Sequence, residues 1–224
     1  MDTPTYAAPV VAPGKLSKYF LFGFIGLMAL YVLRHNEAFL VNSADPSWPH
    51  YEPIKWYLLP HGLAGALALL LGPMQFSDRL RKRFTKFHRV AGRFYVVAVC
   101  VAAPMGLFIQ WFEERLGGPH SFTVATFVDA TLWFTTTMVA FLFIRAGKVQ
   151  PHRQWMTRSF AVAIAFLEIR VIGGLTGWDQ DPAKIETIVW TCVAFSLLAA
   201  DLVLQFQEMR KARGVRAPQG ARPA

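Results

Sequence analysis

Two histidines in this chain occur in closely similar settings. One reads Lys86-Phe87-His88-Arg89-Val90-Ala91-Gly92-Arg93-Phe94, the other Pro151-His152-Arg153-Gln154-Trp155-Met156-Thr157-Arg158-Ser159-Phe160. Each is His-Arg, then a second Arg, then Phe, then an apolar run. A neutral imidazole binds iron axially, and a guanidinium pairs with carboxylates. Two such segments entering an apolar layer at one depth suit a b-type heme, with His88 and His152 as metal ligands and Arg89, Arg93, Arg153 and Arg158 meeting its propionates. A quinone, anionic lipid headgroups or a bare metal ion would draw on some of the same residues. An interfacial histidine bonded to a loop carbonyl is the plain structural alternative for both.

A third imidazole, His61, is followed by Gly65, Ala68 and Gly72 at i+4, i+7 and i+11, one helical face. Small residues beside a histidine admit a flat macrocycle or a closely packed helix. Four further charges stand inside apolar runs: Asp129, Glu168, Arg170 and Asp201. Charges in hydrocarbon are costly unless paired or wetted. The depths of His61, Asp129 and Arg170 match, so Asp129 and Arg170 are expected to face inward as partners with His61 nearby. For Asp201 the candidates are Arg93 and Arg158. Such a file of acids and histidines serves either a salt-bridge network or a proton path.

The elements that must hold these residues follow from composition. The 224 residues are 54% hydrophobic and 17% charged, with a mean hydropathy of +0.33. That is too apolar for an ordinary soluble enzyme. A membrane span takes about 20 apolar residues. Long runs occur at 19–33, 57–76, 94–112, 123–144, 160–175 and 185–206, so the expectation is an all-α bundle of six transmembrane helices over 17–208. Residues 1–16 and the basic tail 209–224 read as disordered arms. No small-residue cleavage site promptly follows the first run, which reads as a retained helix.

Lysine and arginine set the direction. Eighteen of the 23 fall before the first run, between the second and third, between the fourth and fifth, or after the sixth; four fall in the other loops, and Arg170 lies within a run. This alternation puts both termini and the two histidine entrances on the cytoplasmic side. His35, His50 and His120 fall outside. The net charge of +9 is explained by topology and by contact of the basic loops with anionic lipid; no stacking motif accompanies it, which excludes nucleic acid. Cys100 and Cys192 lie in apolar runs without a CxxC partner, and no HExxH, P-loop, GxSxG or dinucleotide fingerprint is present.

Three segments in order, His61-Gly62-Leu63-Ala64-Gly65 leading to Gly72-Pro73-Met74-Gln75-Phe76, then His88 to Tyr95, then His152 to Ser159, resemble the bacterial membrane-protein family catalogued as domain of unknown function 2306. The resemblance runs from about Leu58 to Leu175. It implies a multi-span protein of the bacterial cytoplasmic membrane and brings no established activity. More distantly, histidines at helix ends of a small bundle are similar to transmembrane b-type cytochromes. Two bis-histidine hemes need four ligands, the fourth having to come from His120 or another loop histidine; one heme at the inner site is the economical version. The leading expectation is therefore heme b and electron transfer at the cytoplasmic side. The rivals are a non-catalytic factor that assembles a larger membrane complex, with a membrane partner or a second copy, and a proton-coupled transporter.

Overall fold

The computed structural model describes residues 15–35, 42 and 44–215. Among them the chain is helical without strands: α1 (Lys15–His35), α2 (Trp48–Tyr51), a 3-10 turn (Glu52–Ile54), α3 (Lys55–Gln75), α4 (Asp78–Arg83), α5 (Thr85–Arg115), α6 (His120–Arg145), α7 (Val149–Thr176), a second 3-10 turn (Trp178–Gln180) and α8 (Pro182–Val215). Five of these segments are long and apolar enough to cross a membrane, and the apolar described part of α1, Phe22–His35, is shorter. The pattern of burial suits lipid: large apolar side chains such as Leu63, Leu70, Phe127, Leu142, Phe195 and Leu202 face outward. Alanines and hydroxyls fill much of the interior, as in membrane bundles where small residues let helices approach.

Two turns set the topology. After α6, Gly147 adopts φ +72°, the Lys148 N–H donates to the Phe143 carbonyl at 2.9 Å and the Gly147 N–H to Ile144 at 3.1 Å. After α5, Gly117 at φ +100° is followed by Gly118 N–H to Glu113 at 3.0 Å. Both are Schellman endings, which need a residue free to go left-handed and which fold the next helix back at once. Between α3 and α5, Ser77 caps the short basic α4 by accepting from the Leu80 N–H at 3.3 Å.

The result is a four-helix core of α3, α5, α6 and α7 in which α3 packs on α5, α5 on α6, α6 on α7 and α7 on α3. α5 and α7 thus stand diagonally opposite each other, their backbones meeting far less than those of neighbouring helices among the described residues. α1 and α8 lie outside against α7. One core cluster joins α1, α3, α5, α6 and α7 around Tyr95, Val99, Trp133 and Val162; a smaller one joins α6, α7 and α8 around Ala125, Ala165, Ile169 and Cys192.

Three expected boundaries need correction. α5 and α7 begin at Thr85 and Val149, well before the apolar runs at 94 and 160, because Lys86, Arg89, Gln150, Arg153 and Gln154 suit a helix although hydropathy scores them as loop, and Pro151 is tolerated in a first turn. α8 continues to Val215, so the tail expected from residue 209 starts as helix. The arms 1–14 and 216–224 lie outside the described residues.

Candidate functional site

His88 and His152 are each the fourth residue of their helix, α5 and α7. The tight α6–α7 turn lays the start of α7 against the end of α6, and the His152 Nδ1–H donates to the fully buried Ala140's carbonyl at 2.9 Å. A carbonyl only accepts, so this bond fixes the proton on Nδ1 and leaves Nε2 with its lone pair. Across the diagonal, His88 lies within electrostatic range of His152, Arg81 and Arg89. Its Nδ1 is buried with no hydrogen-bond partner. The two histidines thus stand within electrostatic reach of each other at the basic end of the bundle.

Sequence reasoning missed two members of this centre. Arg81, on α4, joins it through the Ser77-capped turn. The Ala140 carbonyl is a backbone group, invisible in a residue string. Gln75, at the end of α3, lies against α5 one turn beyond His88: its Nε2 is buried without a partner among the described residues and its Oε1 is only 3.3 Å from where a Cβ on Gly92 would stand.

The arginines divide. Arg158 donates from Nε and Nη2 to one oxygen of Asp201, each at 2.8 Å, and its guanidinium sits 5.1 Å over the Trp155 ring. It is therefore the partner of Asp201, not Arg93, and is turned away from any anion at the histidines. Arg89, Arg93 and Arg153 do not share that pair; Arg89 and Arg153 are exposed and Arg93 is exposed too.

Two turns deeper on the same helix faces, seven residues and about 10 Å along each axis, a buried network spans the diagonal. The Tyr95 hydroxyl is 2.9 Å from Ser159 Oγ, the Trp133 Nε1–H donates to the Tyr95 oxygen at 3.2 Å, and Thr137 Oγ1 is 2.7 Å from Ser159 Oγ. Thr137 also lies 2.7 Å from the Trp133 carbonyl, to which it donates. These bonds tie α5, α6 and α7 together seven residues along from His88 and His152.

The small-residue face of α3 serves packing. A Cβ on Gly72 would overlap the Phe160 ring, and Ala68 is fully buried. The expected shallow groove is filled by α7 at that point, whereas a Cβ on Gly65 would meet nothing within 4 Å. In the opposite half, the His61 Nδ1–H donates to the Ala102 carbonyl of α5 at 2.8 Å. Gly106 makes the room: a Cβ there would stand 2.9 Å from His61 Cε1.

Arg170 lies within electrostatic range of His61 but is exposed and does not pair with Asp129. Asp129 is 1% exposed with both oxygens unpartnered, so the expected Asp129–Arg170 pair is not formed. The reason is azimuth: Asp129 belongs to the α6–α7–α8 side, where Ile169 is buried, and Arg170 is turned one residue further round α7. Glu168 instead accepts from Ser196 Oγ at 3.1 Å. The other histidines are held at the far end: His50 by Glu113 at 2.9 Å, His120 by Glu114 at 2.7 Å, and His35 by the Tyr31 carbonyl at 3.2 Å. His120, bonded to Glu114 and 78% exposed in its side chain, does not enter the bundle as a fourth ligand.

The centre at the basic end suits a bis-imidazole-ligated group by donor chemistry: one ring has its tautomer fixed by a carbonyl, and the facing ring has an orphaned nitrogen in a buried site. Among the described residues no cluster of three or more His, Cys, Asp or Glu side chains is arranged to hold a bare metal ion. No curated protein and no solved structure matches the chain. Residues 58–204, which hold both histidines and nearly all of the four-helix core but exclude α1, match the predicted membrane proteins of domain of unknown function 2306, and the chain belongs to that family of membrane proteins.

Proposed function

We propose that the chain binds one b-type heme between His88 and His152 and passes electrons at the basic end of the bundle. The observation that carries this reading is that the two imidazoles lie within electrostatic range of each other across the α5–α7 diagonal, with the His152 Nδ1–H given to Ala140 and Nε2 left with its lone pair. Bundle cores use side chains on facing helices in this way to hold cofactors. When bound, heme supplies a one-electron iron couple. The protein's own contribution is orientation and charge: Ala140 sets the His152 ring, the Tyr95–Ser159 network sets the distance between helices, and Arg81 and Arg89 bring positive charge to the propionate side. Arg93 and Arg153, exposed at the same end, extend that charge toward the headgroups.

The alternation of eighteen basic residues against four supports a cytoplasmic basic end with both termini on that side, in a bacterial cytoplasmic membrane. The same loops would rest on anionic lipid. The test is a reduced-minus-oxidised absorption spectrum of protein made with ample heme and purified in mild detergent. A heme band is expected; a colourless, monodisperse protein that carries a stoichiometric membrane partner would replace this reading with that of an assembly factor.

A further inference from the structure

A second chemistry-bearing centre lies away from the histidine pair. Asp129 stands nine residues into α6, about 13 Å from its start. It is 1% exposed, neither oxygen has a hydrogen-bond partner, and no cation is within electrostatic range among the described residues. Asp129 lies one turn from Ala125 on α6 and within electrostatic range of Cys192 on α8, two members of an apolar cluster that also holds Ala165 and Ile169 of α7 and Val189 and Val193 of α8. The titratable groups nearest this centre are Glu168 from α7 and Cys192 from α8, whose thiol lies within electrostatic range of both carboxyls; α5 brings none into range. Arg170 lies in range of His61.

An ionised carboxylate in such a place has neither counter-ion nor donor, whereas a protonated one carries no charge. Glu168 differs: it is half-buried and keeps a donor in Ser196. A groove of about 140 Å³ between α7 and α8 is lined by Ile172, Ile188, Thr191 and the same Cys192. We propose that Asp129 is a dissociable proton-binding site in the membrane interior, with Glu168 as the second carboxyl of that centre. Binding forms one O–H bond on a carboxylate oxygen, takes one proton from water and breaks no other bond in the protein. Glu168, the less buried of the two carboxyls, is the group at which protons arrive. This centre is independent of any heme at His88 and His152.

The experiment uses the full-length protein in liposomes, treated with dicyclohexylcarbodiimide across a pH series with and without added Na⁺ or K⁺. The reagent partitions into bilayers and modifies protonated carboxyls; adducts are located by peptide mass spectrometry. The expected result is an adduct on Asp129 whose yield falls several-fold as pH rises, is indifferent to Na⁺ and K⁺, disappears in Asp129→Asn and persists in Asp129→Glu. Protection by either cation would make this an alkali-cation site and overturn the proposal. So would a yield that does not change with pH, which marks a permanently neutral structural acid. Absence of an Asp129 adduct, in samples where a lipophilic maleimide modifies the exposed Cys100, also overturns it. The wild-type series decides the matter even where Asp129→Asn fails to fold.

Discussion

If the buried Tyr95–Ser159 bond holds α5 and α7 in register, its two partners must be energetically coupled. Tyr95→Phe removes the bond to Ser159 and leaves the Trp133 Nε1–H without its acceptor. A buried donor stranded in this way costs about 1–3 kcal/mol. Ser159→Ala removes the 2.9 Å bond to Tyr95 and the 2.7 Å bond to Thr137, yet Thr137 keeps the Trp133 carbonyl. With a net worth of roughly 0.6 kcal/mol per hydrogen bond inside membrane proteins, that variant should lose about 1 kcal/mol. Both singles delete the same hydroxyl contact, so the double variant should cost about 0.5–1 kcal/mol less than the sum of the two. The assay is reversible unfolding in mixed micelles of mild detergent and sodium dodecyl sulfate, followed by tryptophan fluorescence. Strict additivity would falsify the claim that this bond ties the two helices, as would a Tyr95→Phe variant more stable than the parent.

Other substitutions test other joints. Gly72→Ala should destabilise by about 1–3 kcal/mol through overlap with the Phe160 ring, and Gly72→Ala with Phe160→Leu should recover much of it in the same unfolding assay; a Gly72→Ala variant of unchanged stability means α3 and α7 do not meet there. Gly106→Ala pushes on the His61 ring and should weaken its bond to Ala102; in the background of His61→Ala the same change should be close to neutral, and an equal loss in both backgrounds speaks against the contact. Asp201→Asn breaks only a partly exposed pair, 27% and 55% exposed for Arg158 and Asp201, so a shift below about 1 kcal/mol is expected, and a larger one would place that pair in a dry interior.

The long apolar runs announced every long helix, since a span is a matter of length and hydropathy that needs no knowledge of neighbours. The starts of α5 and α7 were not legible in that signal, because Lys86, His88, Arg89 and Arg153 fit a helix while their polarity hides them from it. Depth along each helix was legible too, as residue count times rise. Azimuth was not: Glu168 and Arg170 differ by two residues, about 200° around an α-helix, and depth alone could not tell that Arg170 is exposed while Asp129 is buried without a partner among the described residues. The duplicated His-Arg pattern places its two histidines at the same position, the fourth residue, of two diagonal helices, where they lie within electrostatic range of each other. What holds the His152 ring, the Ala140 carbonyl, is a backbone group, which residue types do not encode.

The His88–His152 centre is tested most directly by counting heme in four purified proteins: the parent, His88→Ala, His152→Ala and His61→Ala. One heme per chain is predicted for the parent and for His61→Ala, and none for the other two. Heme retained by both His88→Ala and His152→Ala, or lost only in His61→Ala, would contradict ligation across the α5–α7 diagonal.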